Sequence, residues 1–166
     1  MKANDMHDDK FQPLAAKLQK LGKELVHLKE ERDEAMEGME GAFDQTIELA
    51  AETEGKVKEI IEKAKGAGNY QSIVNTYSRW ADMVMEIKTT LSMSRIRIEE
   101  IAQQSEKKGV EELVNEYEGT IEEFDVWIDA LLKGGKTEEG YIPKVTNSAV
   151  YAMSAKLDDI DRKSVV

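Results

Sequence analysis

The chain has 166 residues, 34 acidic against 23 basic, a net charge of -11 and no cysteine. This is the size of one domain or two very small ones. Without cysteine there is no disulfide framework, thiolate nucleophile, zinc knuckle or iron–sulfur site, and the acidic balance argues against general nucleic-acid binding, which needs Lys and Arg to neutralise phosphate.

The N-terminal stretch carries Asp8 and Asp9 where a signal peptide needs an apolar core. No apolar run approaches the roughly 18 residues needed to span a bilayer. The expected location is therefore cytoplasmic, or exported without a cleaved signal peptide. Residues 1–11 read as an N-terminal tail and residues 12–133 as a helical hairpin or bundle. Residues 134–144 read as a loop and 145–166 as a C-terminal amphipathic helix.

The first helix is expected to start near Asp9 to Pro13, with Pro13 in its first turn. Leu14, Leu18, Leu21, Leu25 and Leu28 follow at steps of four and three, and Arg32, Ala35 and Met39 continue the phase. This is a heptad seam, the strongest signal in the sequence. Phe43 and Ile47 then follow at successive fours, and the seam resumes through Ala50, Glu54, Val57, Ile61 and Ala64. Gly38 and Gly41 lie where the steps change. Each costs about 1 kcal/mol against Ala in a helix, but no proline or polar turn accompanies them, so continuity is expected. The helix should end at Gly66, with Gly66 as its left-handed cap and Asn69 capping the next helix.

A second seam runs from Tyr70 and Val74 through Val84, Ile87 and Leu91 to Ile98 and Ile101. Lys108-Gly109 interrupts it as a kink or short turn. A third, through Leu113, Tyr117, Ile121, Phe124, Ile128 and Leu131, has a slipped phase. Lys133, Gly134 and Gly135 supply a cation and glycines for its end. The last helix, about 147 to 162, is expected to be capped by Asn147 or Ser148. No strand is expected, because period-two alternation is nowhere sustained.

Charge is zoned along the chain. Lys10, Lys17, Lys20, Lys23 and Lys29 stand in one basic block, and residues 30–54 and 111–129 are acidic. A chain folded back at Gly66 to Asn69 brings residues whose numbers sum to about 135 face to face. The block 10–29 then meets 106–125, and 30–54 meets Lys88, Arg95 and Arg97. The predicted fold is all-α: a long antiparallel coiled-coil hairpin, or an elongated three- to four-helix bundle if Gly38–Gly41 and Gly109 are true breaks.

Chemistry-bearing motifs are few. Glu24 and His27 form a Glu-x-x-His element that could be half of a di-metal site completed by a second copy. A solvated pair beside the leucine seam is the plainer account, and no second such element exists. Gly66-Ala67-Gly68 follows a helix rather than a strand and lacks the Gly-Lys-Ser/Thr of a phosphate loop. Trp80 and Trp127 read as buried anchors or exposed partner anchors, and the methionines as core filling or an adaptable surface. The last helix is the candidate partner-binding element, through Val150, Met153, Leu157 and Ile160, with a further strand of the same bundle as the alternative.

No catalytic residue, metal ligand or cofactor is expected. The expected function is a non-enzymatic helical assembly or protein–protein interaction module, self-associating as a homo-oligomer, for instance a filament or tip-type subunit. The alternatives are an acidic regulatory binder (an adaptor, immunity protein or mimic) and a metal-binding bundle using Glu24 and His27.

Overall fold

The structure, a computed structural model, describes the backbone of residues 5–164 and the side chains of residues 12–160. In chain order it holds α1 (Asp5–Gly66), a short α2 (Tyr70–Ser72), a π-helical turn (Ile73–Tyr77), α3 (Ser78–Gln103) and α4 (Lys107–Lys133). Strands β1 (Gly135–Thr137) and β2 (Gly140–Ile142) and the helix α5 (Ser148–Ser164) follow. This is an all-α helical fold with one very small sheet. The chain divides into two compact units, residues 1–39 and 40–166.

The helix α1 is already running at Asp5, so Pro13 lies inside it rather than in its first turn. Part of the expected 1–11 tail is thus helical; residues 1–4 lie outside the described residues. The helix passes Gly38 and Gly41 without a break, as the missing turn chemistry predicts. In unit 1, every leucine of the seam from Leu14 to Leu28 is 53% to 71% exposed. The ion pairs here stay within the helix: Lys20 with Glu24, His27 with Glu31 and Arg32 with Asp33.

Unit 2 holds the core. It begins with Leu49, Ala50 and Val57 of α1 and takes in Trp80, Met83, Val84, Ile87 and Leu91 of α3. From α4 come Phe124, Ile128 and Leu131, and from the C-terminal segment Ile142, Val145, Val150 and Leu157. Helical spacing on each segment puts these residues on one face, which is why four separate helical stretches close around one apolar cluster. Small buried side chains, Thr46, Thr53, Thr90, Ser94 and Thr120, extend the lining. Thr46, Thr53, Ser94 and Thr120 donate their hydroxyls to the carbonyl four residues back, at 2.6 to 3.0 Å. Burial then leaves none of these four unsatisfied.

The turns show which residues the sequence reading misassigned. The left-handed residue after α1 is Gly68, at φ +70°, not Gly66. Asn69 caps α2 as expected, its side chain accepting from the Ser72 N–H at 3.4 Å. The break between the second and third seams falls at Gln104–Glu106, where Gln104 is extended, and not at Gly109. The Gln104 side-chain oxygen accepts from the N–H groups of Ser105 and Glu106, at 2.9 and 3.0 Å. Gly109 lies in the first turns of α4, where a Cβ would press on the Gln104 side-chain amide.

After that turn α4 packs along α3, and Arg97 reaches Glu116 at 2.8 Å. The hairpin pairing is therefore kept in part and corrected in part. Arg95 meets Glu40 at the expected register, and Lys88 meets Glu54 within two turns of it. Residues 106–125 do not continue the second arm; they turn back and pack against α3.

Residues 134–144 are more than a loop. β1 and β2 pair antiparallel, Gly135 with Ile142 and Thr137 with Gly140, around Glu138 and Glu139. At three residues each, the strands are too short for alternation to register. Gly134 has φ +75° and ends α4, its N–H donating to the Ala130 carbonyl. The carbonyls of Glu139 and Pro143 accept from Arg79 and Trp80 of α3, at 3.1 and 2.8 Å. Asn147 caps α5, accepting from the N–H groups of Ala149 and Val150.

Candidate interaction surfaces

The four residues proposed from sequence as a partner site lie along one face of α5, and that face is occupied by the protein itself. Val150 and Leu157 are fully buried in the core, and Met153 and Ile160 are half-buried against it. The reason is visible in the stripe itself: an apolar face at steps of three and four needs something to cover it, and α5 packs on α4. The packing supports the account of α5 as a further strand of the same bundle.

Trp80 is buried, with its ring 5.3 Å from that of Tyr77. Trp127 is half-buried against the same core. Of the methionines, Met83 is buried, while Met85 and Met93 are exposed on α3.

Glu24 and His27 are not brought together with other ligands. His27 faces Glu31 at 3.3 Å, one turn on, and Glu24 faces Lys20. Among the described residues no group of three or more His, Cys, Asp or Glu side chains could hold a metal ion. No helix among them is long and apolar enough to cross a membrane.

Charged side chains of unit 2 form three clusters between helices. Glu54, at a seam position of α1, is mostly buried and takes Lys58 and Lys88 at 2.5 Å each. These two ammonium groups, Lys58 first, hold its carboxyl below the ordinary range, against the opposing effect of burial. A carboxylate in an otherwise apolar seam is thus explained by two cations, one from its own helix and one from α3.

Arg95 spreads over Glu99, Asp44 and Glu40. Its guanidinium is raised in pKa, first by the hydrogen bond to Glu99 and then by Asp44. Arg97 divides between Glu100 and Glu116. Beside it lies an open polar groove of about 500 Å³, floored by Gln103, Gln104 and Leu113. Its cation is already neutralised by two carboxylates, so the groove presents no free charge to an anionic ligand. No nucleophile or acid–base pair stands there.

On the outer face of α4, Glu118, Glu122, Glu123 and Asp125 are exposed and enter none of the ion pairs found among the described residues. The neighbouring Glu111, Glu112 and Asp129 each take a lysine one turn away on the same helix.

The leucine face of α1 in unit 1 is a continuous exposed apolar stripe. Its spacing was plain, but the hairpin assignment gave those leucines an intrachain partner in residues 106–125. The turn at Gln104–Glu106 ends the second arm there, and glutamine and serine are weak turn signals.

No protein-family model matches this chain, and no curated protein or solved structure does so either.

Proposed function

We propose that this protein is a non-enzymatic helical assembly module that associates with further copies of itself. The observation that carries the reading is the exposed seam of five leucines from Leu14 to Leu28. Exposed leucines scattered singly are ordinary, but a continuous apolar stripe on one face of a helix marks a surface that gains by being covered. Unit 2 has its own closed core, so the stripe is not needed to build it.

Sedimentation velocity across a concentration series tests the reading. A particle mass that rises above one chain with concentration is expected. A single-chain mass at all concentrations overturns it.

A second reading is an acidic binding protein. It is favoured by the exposed carboxylates Glu118, Glu122, Glu123 and Asp125 on α4, which have no basic side chain across from them among the described ion pairs. Such a surface suits a basic partner and speeds its arrival at low salt. Neutralising the four to Gln and Asn would abolish capture by a basic partner while leaving the chain's own assembly unchanged.

A further inference from the structure

We infer that residues 14–37 of α1 are an order–disorder arm, a helix that opens and closes independently of unit 2 and is set against opening by the charge of its own acidic block. The inference goes beyond the assembly reading. It concerns the single chain, so the two stand or fall separately.

The two halves of this one helix are held differently. Every residue from 12 to 35 is exposed. Among the described residues the first buried side chain of α1 is Thr46, followed by Leu49 and Ala50. From there the helix is fastened into the core and to Lys88 of α3 through Glu54. Most helical stability in proteins comes from a packed apolar face, and the fastened half has one. The arm has only its intrahelical bonds and propensity. Gly22, Gly38 and Gly41 lower that propensity, and nothing lies within 4 Å of where their Cβ atoms would stand, so no close packing compensates. The core-anchored half supplies the helix nucleus, and opening requires only fraying toward it.

Charge then works against the helical form. Glu30 and Glu34, and Asp33 and Glu37, stand four apart, while Glu31, Glu34 and Glu37 follow at steps of three. Like charges at these spacings are neighbours on a helix surface and destabilise it. Residues four apart are separated by about 6 Å along a helix and by about 13 Å in an extended chain, so opening releases the repulsion. The opposing pairs are few. Lys20 with Glu24 lies outside the block, His27 supports Glu31 only when protonated, and Arg32 offsets Asp33. These carboxylates are exposed, so salt screens them and draws the arm into helix. In unit 2 the sign is reversed: Arg95 attracts Glu40 and Asp44, and salt weakens those contacts.

Amide hydrogen exchange of the full chain, read by mass spectrometry over a dilution series, tests this. At the highest dilution, residues 14–37 should exchange at least about 100-fold faster than residues 49–64 of the same helix. Raising salt from about 0.01 M to about 1 M should slow exchange in 14–37 several-fold and not in 49–64. A variant carrying Glu30→Gln, Glu34→Gln and Glu37→Gln should exchange more slowly in 14–37 at low salt and lose most of the salt response. Its urea transition in unit 2 should match that of the wild type.

Equal protection of the two stretches at the highest dilution overturns the inference. So does fast exchange in 14–37 that ignores both salt and the substitutions, since the acidic block would then set nothing. Protection of 14–37 that appears only as concentration rises supports it, because the arm is then open in the single chain. A chain whose mass stays single at every concentration overturns the assembly reading and leaves this result to be read on its own.

Discussion

The indole Nε1 of Trp80 donates to the carbonyl oxygen of Pro143 at 2.8 Å, across 63 positions of sequence. The bond fastens the segment between β2 and α5 to α3, and the buried indole fills the space beneath it. The Val145 N–H donates to the Leu131 carbonyl at 2.9 Å. Together these contacts fix where α5 begins.

Trp80→Phe removes this donor, leaves the Pro143 carbonyl without its partner and opens a cavity beside Met83 and Val84. The expected loss is about 2 to 3 kcal/mol. Urea unfolding followed by far-ultraviolet circular dichroism checks it. Trp127→Phe, at a half-buried site, should cost about 1 kcal/mol or less. Equal losses at the two positions would show that the Pro143 contact contributes nothing.

Glu54 gives a pH signature. Its carboxyl is held below its ordinary value near 4.5 by Lys58 and then Lys88. A carboxyl with a lowered folded-state pKa adds stability that is fully present above the unfolded value. That stability is lost as pH falls through the folded value. Glu54→Gln should therefore cost about 1 kcal/mol at pH 7, where the ion pairs are intact, and progressively less as pH falls below the ordinary carboxylate value. A difference between wild type and variant that is flat with pH would remove the ion pairs from the account.

Ser154 is the one described side chain whose buried polar atom lacks a hydrogen-bond partner. Ser154→Ala removes the hydroxyl without removing any bond, so stability should rise by about 1 kcal/mol. A fall by a similar amount in thermal unfolding would mean that the hydroxyl is satisfied after all.

Glycine substitutions separate three environments. Gly119 lies in α4 with open space where a Cβ would go, and Gly119→Ala should stabilise by about 1 kcal/mol through helix propensity alone. Gly109→Ala makes the same gain but displaces the Gln104 side chain and its two turn bonds, so the net change should be near zero. Gly134→Ala combines φ +75° with a Cβ placed 2.9 Å from the Lys144 backbone nitrogen. It should destabilise by more than about 1 kcal/mol. The same denaturant titration orders all three.

The leucine spacing, the Asn69 and Asn147 caps, the Gly134 terminus and the continuity past Gly38 and Gly41 all follow from local chemistry, and all were legible in the sequence. So was the charge match of Arg95 and Lys88 with residues 40–54, because opposite signs lay at one register. The return of α4 along α3 was not. It depends on Gln104 bonding to its own neighbours, and a glutamine does this only when the backbone has already turned. The burial of Val150 and Leu157 was also ambiguous, since an amphipathic stripe looks the same whether its groove lies in the same chain or another. Glu54 could be placed on the seam, but only the fold showed the second lysine that makes a carboxylate tolerable there.

The hydroxyls of Thr46, Thr53, Ser94 and Thr120 all turn back to carbonyls of their own helices. None of the four informs one helix where its neighbour stands. Longitudinal alignment of the 40–66 stretch on α3 is thus left to side-chain relief and to the guanidinium and ammonium groups of Arg95 and Lys88 at the rim. Electrolyte weakens the second of these and leaves the first untouched. In brine the paired helices keep their cohesion while losing part of what resists sliding by a turn.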